Sequence, residues 1–135
     1  RFEADFSAVP DIAQTVAVSC CLLGIPFHIT GLKTLKIKET DRLEALRREL
    51  MKISFVVDID DSSIAWEGAR CPVDGNSPVA IDTYDDHRMA MSFAPVAWYV
   101  PGLIIRNAEV VTKSYPDYWN HMRSAGFVIE EISKV

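Results

Sequence analysis

The residue types best suited to chemistry gather in residues 38–42, where Lys38, Glu39 and Arg42 stand at the predicted start of a helix. Asp41 can cap this helix, because its side chain can accept a hydrogen bond from a free backbone N–H. The first N–H groups of a helix point outward, and the helix dipole favours an anion there. Two cations and a carboxylate at this end therefore predict an anion site that contains a proton-transfer group. The alternative interpretation is a solvated cap, which is the usual role of charges at a helix start.

The helix behind these charges is predicted to be amphipathic and to run to about Lys52. On its outer face Glu44 and Arg48 are four residues apart, in the order that favours an ion pair. Apolar residues recur at spacings of three and four and predict the buried face: Leu43, Leu46, Leu50 and Ile53. This face would dock the helix on a core and hold its charged start in place.

Two further helices are predicted to be buried, because they are apolar on nearly every side. The first spans about residues 11–23, between Pro10 and Gly24, a typical C-terminal cap. The second begins with the charged run at residues 84–88, and a break is expected at Pro95 because proline lacks a backbone N–H.

Short strands are predicted between the helices, and the whole pattern is an internal repeat. Asp11 and Asp86 lie 75 positions apart, as do Lys38 and Lys113. Each copy reads β-α-β-α-β, and the first has an added hairpin strand. Because repeated units bury their apolar faces against each other, we expect their charged helix starts to converge on one anionic ligand. The predicted strands cover residues 1–6, 26–30, 54–59, 64–67, 78–81, 103–106 and 127–132, and a fourth helix covers residues 118–125.

Composition limits the class of protein. The chain has 135 residues, 49% apolar and 24% charged, which is enough for one domain with a core. A net charge of −5 argues against a general nucleic-acid surface, and no apolar run approaches the roughly 20 residues that span a membrane. Cys20, Cys21 and Cys71 are expected to be reduced thiols, and their spacing does not fit zinc. A start at Arg1 rather than methionine predicts a fragment or a processed chain.

Four separated strings carry a family resemblance: PDIAQT at residues 10–15, LKIKETDRL at 35–43, TYDDHRMAMSF at 83–93 and KSYPDYW at 113–119. In order and spacing, and over the whole chain, they resemble the conserved blocks of the C-terminal domain of the 5-enolpyruvylshikimate-3-phosphate synthases. The resemblance implies an α/β fold, an inside-out barrel whose β-α-β-α-β(-β) units turn helices inward and sheets outward. Residues 1–135 would form part of that domain, with repeat units at about 1–70 and 77–135, and the family's N-terminal domain would be absent.

The same resemblance implies an enzyme of aromatic amino-acid biosynthesis, in the shikimate pathway. The family transfers the enolpyruvyl group of phosphoenolpyruvate to the 5-hydroxyl of shikimate 3-phosphate and releases phosphate. It implies a cytoplasmic protein with no metal and no organic cofactor. The expected partners are the two substrates and the N-terminal domain of the same enzyme, and neither nucleic acid nor membrane is expected. The isolated chain is expected to be inactive and to self-associate through an uncovered apolar flank.

Single residues receive roles from this resemblance. Asp11 resembles the carboxylate that contacts the ring hydroxyls and accepts the 5-hydroxyl proton. Glu39 resembles the glutamate that transfers a proton at the enolpyruvyl carbon, so these two are the expected catalytic residues. Lys38 resembles a lysine that contacts shikimate 3-phosphate. Thr34 stands where many members carry an asparagine that contacts the same substrate.

The remaining positions resemble the phosphoenolpyruvate site. Arg42 and Arg88 resemble the arginines that clamp its carboxylate, since a guanidinium fork fits a carboxylate with two hydrogen bonds. Lys113 resembles the lysine near its phosphate. His87 resembles a histidine beside the same site, and the alternative is a neutral residue at a helix start that only positions its neighbours.

Two other functions stay open at this point. UDP-N-acetylglucosamine enolpyruvyl transferase shares the fold and the donor, but it lacks the pairing of KETDR with DHRMAM. A non-catalytic β-α-β-α-β module that binds RNA or a protein is the alternative from another class, because a fold alone does not fix function. The acidic balance of the chain counts against that module.

Overall fold

The chain is built from short helices and short strands. The computed structural model describes residues 1–38, 40–73, 75 and 78–132. Within these residues the α-helices are α1 (Ala13–Leu23), α2 (Arg42–Lys52), α3 (His87–Phe93) and α4 (Tyr118–Ser124). The strands are β1 (Phe2–Asp5), β2 (Phe27–Thr30), β3 (Asp58–Ile59), β4 (Ile64–Trp66), β5 (Ala80–Ile81) and β6 (Ile104–Ile105). Short 3-10 turns lie at Pro10–Ile12, Lys33–Ile37, Ala94–Trp98 and Ala108–Val111. The mixed α/β class expected from the sequence is confirmed.

Two sheets hold the strands. The larger has the order β1-β2-β4-β3, with β1 parallel to β2 and the other neighbours antiparallel. Ile29 on β2 stands opposite Ile64 on β4, and both side chains are fully buried. β3 and β4 form the predicted hairpin, whose turn is closed by the Asp60 N–H donating to Ser63 O at 3.1 Å. The smaller sheet pairs β5 with β6 in parallel, as a strand–helix–strand unit requires.

Small side chains allow α1 to lie against the other helices. Ala17 and Cys21 are buried, and α1 packs on both α3 and α2. The Thr15 and Ser92 hydroxyls join α1 to α3 through a hydrogen bond of 3.1 Å. Burial of this helix is confirmed on one side only. Its other side includes Leu23, which is 65% exposed.

The amphipathic pattern of α2 is confirmed. The predicted apolar face is buried: Leu43, Leu46, Leu50 and Ile53. Asp41 caps the helix, because its Oδ1 accepts the Glu44 N–H at 3.2 Å. On the outer face, Arg48 Nε donates to Glu44 Oε1 at 3.0 Å, as the spacing predicted. The core contact and the cap together fix where the charged end of α2 lies.

The prediction of a last strand is wrong. Residues 127–132 have no regular secondary structure, and Val128 is 91% exposed. An extended segment becomes a strand only where a neighbour supplies backbone partners. The Phe127 N–H instead donates to Met122 O at 3.1 Å, at the end of α4. The described part of the second repeat unit therefore reads β-α-β-α.

Two further boundaries depend on backbone chemistry. The strand predicted at residues 54–59 is shortened to β3. Ser54 has a left-handed φ of 76°, which is not strand backbone. Phe55 makes only an isolated bridge, to Arg70, and pairing with β4 begins at Asp58. The break predicted at Pro95 is confirmed, since α3 ends at Phe93 and a 3-10 turn follows.

The thiols of the chain are free. Cys20 and Cys21 are buried within α1, and burial, with a smaller effect from Cys20, raises the pKa of Cys21 to about 12. Cys71 is partly buried, and its Sγ lies 3.6 Å from Met51 O. Among the described residues, none of the helices has the length and apolar character needed to cross a membrane.

We expect Gly31→Ala to be far more damaging than Gly24→Ala. Both glycines have a positive φ, 77° and 71°, a conformation that costs an alanine about 1–2 kcal/mol. A Cβ at Gly31 would also stand 2.2 Å from Asp5 Oδ1 and 2.5 Å from the Ser7 backbone N, whereas Gly24 has open space around it. Urea unfolding followed by circular dichroism should give a loss of about 3–4 kcal/mol for Gly31→Ala. Equal losses for the two variants would contradict the close approach of these segments.

Candidate functional site

Three of the predicted helix starts meet at the guanidinium of Arg42. Arg42 is the first residue of α2, and its side chain is 2% exposed. Its Nε donates to Asp86 Oδ2 at 2.8 Å and its Nη2 to Asp86 Oδ1 at 3.1 Å, the two-bond fork of arginine with carboxylate. Its Nη1 donates to Asp11 Oδ1 at 3.2 Å, just before α1. We call Asp11, Arg42 and Asp86 the Arg42 cluster.

Asp86 is the buried centre of this cluster. Its side chain is fully buried, and its Oδ1 also accepts the Arg88 N–H at 2.9 Å, which caps α3. Its Oδ2 lies 3.4 Å from Gln14 Nε2 on α1. Since a buried carboxylate is tolerated only when its oxygens are paired, these donors explain how the charge can be held there. Asp86 thus fixes the start of α3 relative to α1 and α2.

Asp11 and Lys38 form the side of the site that faces solvent. The Asp11 side chain is 42% exposed, and its Oδ1 lies 3.9 Å from Lys38 Nζ. Arg42 contacts this carboxylate from the buried side, and the exposed part of Asp11 can still reach a ligand. A carboxylate in that position can orient a hydroxyl group and accept its proton.

His87 and Arg88 begin α3, and both are partly buried. Because Asp86 accepts the Arg88 N–H, the Arg42 cluster is tied to the backbone turn from which these two side chains project. Within the part of the chain that the structure describes, the Arg88 guanidinium makes no ion pair. It is therefore a cation that an external anion could use.

The other predicted site residues are less closely tied to the cluster. Glu39 lies outside the described residues, so its role in proton transfer stays a prediction. Thr34 and Lys113 are exposed, and the described contacts connect neither of them to the Arg42 cluster. Lys113 follows the turn Ala108–Val111, which packs against α3. The substrate contacts predicted for these residues also stay predictions.

Arg42 has a structural role that the sequence did not reveal. The resemblance implies that its fork clamps a substrate carboxylate, but in the structure Asp86 occupies the fork. A substrate would have to share the guanidinium with Asp86 and Asp11. The sequence could not indicate this pairing, because Asp86 stands 44 residues away along the chain.

Sequence analysis also missed Glu49, because a glutamate on the charged side of an amphipathic helix is normally solvated. Its side chain is 1% exposed. Its Oε2 accepts the Tyr84 O–H at 2.6 Å, and its Oε1 accepts the Asp82 N–H at 2.9 Å. Lys52 Nζ lies 2.6 Å from Glu49 Oε1 and supplies the counter-charge. The available signal was spacing, since Glu49 is seven residues after Arg42 and so faces the same way two turns along.

Burial and neighbouring groups shift the pKa values of two side chains beside these contacts, Asp82 and Tyr84. Burial alone would raise the pKa of Asp82, but Lys52 and Arg106 outweigh burial and hold this pKa below its ordinary value. Burial, reinforced by the hydrogen bond to Glu49, raises the pKa of Tyr84, so its hydroxyl stays a donor at neutral pH. No group of three or more His, Cys, Asp or Glu side chains among the described residues could hold a metal ion.

Comparison with known proteins relates the chain to one group of enzymes. It matches the family model described as EPSP synthase (3-phosphoshikimate 1-carboxyvinyltransferase) over residues 2–122. A 3-phosphoshikimate 1-carboxyvinyltransferase of Bacteroides fragilis is 50% identical over 136 residues, covering 96% of this chain and 32% of the relative. A protein of the same name from Idiomarina loihiensis is 39% identical, covering 87% of this chain and 27% of the relative. One from Methanoculleus marisnigri is 36% identical, covering 93% and 29%. The chain spans about a third of the length of the Bacteroides relative.

Removing the charge of Asp86 should be much more costly than removing that of Asp82. Asp86→Asn leaves the buried Arg42 without its main counter-charge, and breaking such a pair typically costs about 3–5 kcal/mol. The Asp82 side chain is 42% exposed and pairs with Lys52 and Arg106, so Asp82→Asn should cost about 1 kcal/mol or less. Free energies of unfolding from urea titrations measure both. Similar losses would mean that the buried Arg42 cluster contributes no more to stability than an exposed ion pair.

Proposed function

Because the chain belongs to the EPSP synthase (3-phosphoshikimate 1-carboxyvinyltransferase) family, we propose that it supplies part of the active site of a longer enzyme. That enzyme transfers the enolpyruvyl group of phosphoenolpyruvate to the 5-hydroxyl of shikimate 3-phosphate and releases phosphate, in aromatic amino-acid biosynthesis. The matched relatives carry the name of this activity, which does not favour the UDP-sugar transferase or the non-catalytic module.

The observation that carries this proposal is the meeting of three helix starts at the Arg42 cluster. Both proposed substrates are polyanions that also carry groups able to exchange protons. A site for them needs several cations and a carboxylate within reach of each other. Lys38, Arg42 and Asp11 supply such a group, with Nζ and Nη1 at 3.9 and 3.2 Å from the same Asp11 oxygen. Arg88 adds a further cation at the start of α3.

We assign the shikimate 3-phosphate side to the first repeat unit. Asp11 orients the ring hydroxyls and accepts the 5-hydroxyl proton, which its exposed position beside Lys38 allows. Lys38 contacts the phosphorylated substrate, and Thr34 takes the place of the asparagine found in many members. Glu39 transfers the proton at the enolpyruvyl carbon.

We assign the phosphoenolpyruvate side mainly to the second unit. Arg88 binds the carboxylate, and Arg42 assists it while remaining paired with Asp86. Lys113 lies near the phosphate, and His87 lies beside the same group. The arginine pair suits a carboxylate because each guanidinium offers parallel N–H donors.

The architecture proposed for the whole enzyme follows the family. The repeat units at about residues 1–70 and 77–135 would each form one unit of an inside-out barrel. Packing of α1 on α2 and α3 supports helices that face one another. The substrates would bind between this domain and an N-terminal domain of the same protein. The three free thiols fit a reducing compartment such as the cytoplasm.

Glu39→Gln in the full-length enzyme should lower kcat by about 100-fold or more, in line with the loss of a general acid–base group, while both KM values stay similar. Glu44→Gln is the matched control, because Glu44 is a carboxylate five positions further along the chain. Among the described residues it pairs only with the outer arginines Arg47 and Arg48. Steady-state rates of phosphate release measure the effect. An unaltered kcat for Glu39→Gln would remove Glu39 from the proposed proton transfer.

The isolated chain should self-associate or bind a hydrophobic dye. Large apolar side chains are exposed near its C-terminal end: Trp98 (70%), Tyr99 (55%), Val128 (91%) and Ile132 (71%). Such a patch normally has a partner surface, which the rest of the enzyme would supply. We expect dye fluorescence to rise on mixing and to fall in a Trp98→Lys, Val128→Lys variant. Sedimentation as a compact monomer that does not bind the dye would count against the missing cover.

A further inference from the structure

We propose that Glu49 and Tyr84 form a positioning pair, which fixes the turn before α3 and thereby aims Arg88 at the phosphoenolpyruvate carboxylate. This inference rests on the function proposed above for Arg88. It adds two residues that lie outside the expected set of substrate contacts.

The turn before α3 is conformationally unusual. Tyr84 and Asp85 are consecutive, and both have a left-handed backbone, with φ of 54° and 55°. Side chains other than glycine avoid this region because Cβ crowds the following carbonyl oxygen. Two such residues in sequence persist only where the surroundings impose the conformation. The residues that hold this turn therefore determine how the chain enters α3.

Glu49 holds the turn from one side. Its carboxylate accepts the Asp82 N–H at 2.9 Å and the Tyr84 O–H at 2.6 Å. Glu49 thus binds both the backbone before the turn, at Asp82, and the side chain of Tyr84, the first left-handed residue. The carboxylate is almost completely buried, and Lys52 Nζ balances its charge at 2.6 Å. A charge-assisted hydrogen bond in such a site is strong and directional.

Arg42 holds the turn from the other side, through Asp86. The Asp86 N–H donates to Thr83 O at 2.8 Å and closes the turn, while the Asp86 carboxylate takes the guanidinium fork. Arg42 and Glu49 are both on α2, two helical turns apart. A single rigid helix therefore fixes both ends of the turn, and Arg88 follows two residues after Asp86.

A simpler role must be distinguished, in which Glu49 and Tyr84 only fasten α2 to the second repeat unit. In that role, removing either side chain would lower the stability of the protein. The KM values for the two substrates would then either both change to the same extent or both stay the same. The positioning role affects phosphoenolpyruvate selectively, because Arg88 is the group that moves. The separation of the two KM values is therefore the deciding measurement.

The test uses Tyr84→Phe and Glu49→Gln in the full-length enzyme. Tyr84→Phe removes only the hydroxyl, and we expect the KM for phosphoenolpyruvate to rise about tenfold. The KM for shikimate 3-phosphate should stay within about twofold. Glu49→Gln should shift the same constant in the same direction. If the two residues act as one unit, the KM of the double variant for phosphoenolpyruvate should be no higher than that of the more impaired single variant.

Two matched controls separate positioning from stability. Tyr118 is a buried tyrosine whose hydroxyl donates to Met91 O at 3.3 Å, so Tyr118→Phe should lower Tm without changing either KM. Glu44→Gln controls for loss of a carboxylate from α2. Two results for Tyr84→Phe and Glu49→Gln would overturn the positioning pair. One is an equal rise in both KM values, and the other is a lowered Tm with neither KM changed. If the wild-type full-length enzyme does not convert phosphoenolpyruvate and shikimate 3-phosphate, that result would instead contradict the function proposed for the whole protein.

Discussion

The structure depends on one buried ion pair, between Arg42 of α2 and Asp86 at the start of α3. Taking two charges out of water is costly unless their geometry is good and their remaining donors and acceptors are satisfied. Here the fork is complete, and Asp86 also accepts the Arg88 N–H. The pair joins α2 to the start of α3, beside the contacts of Glu49 with Tyr84 and of Thr15 with Ser92. These polar contacts add direction to the apolar packing, which alone has little directionality. The Arg42–Asp86 pair therefore holds the start of α3 against the start of α2.

α2 serves two surfaces at once. Its leucines enter the core on one face, and Arg42 and Glu49 meet the second unit on another. The same helix therefore fixes the distance of the site from the core and the angle of the turn that carries His87 and Arg88. Asp11 joins this arrangement from the start of α1. A site assembled from helix starts is rigid because each start is tied to another by a charged side chain.

Sequence reasoning succeeded where the signal is local and failed where it is not. The leucine spacing of α2, the Asp41 cap, the Gly24 end of α1 and the β3–β4 hairpin are properties of neighbouring residues, and the structure agrees with them. The last strand failed because strand formation needs a partner that the sequence does not reveal. The burial of Arg42 and Glu49 was missed for a related reason, since their partners lie 44 and 35 residues away.

The adjacent thiols of α1 have a consequence for the chemistry of the chain. Only the thiolate reacts readily with alkylating reagents, and burial disfavours that form at Cys20 and Cys21. Their modification then requires a local opening of the core that lifts α1 away from α2 and α3. The rate of alkylation at these two cysteines would therefore measure how often α1, the helix that follows Asp11, separates from α2 and α3.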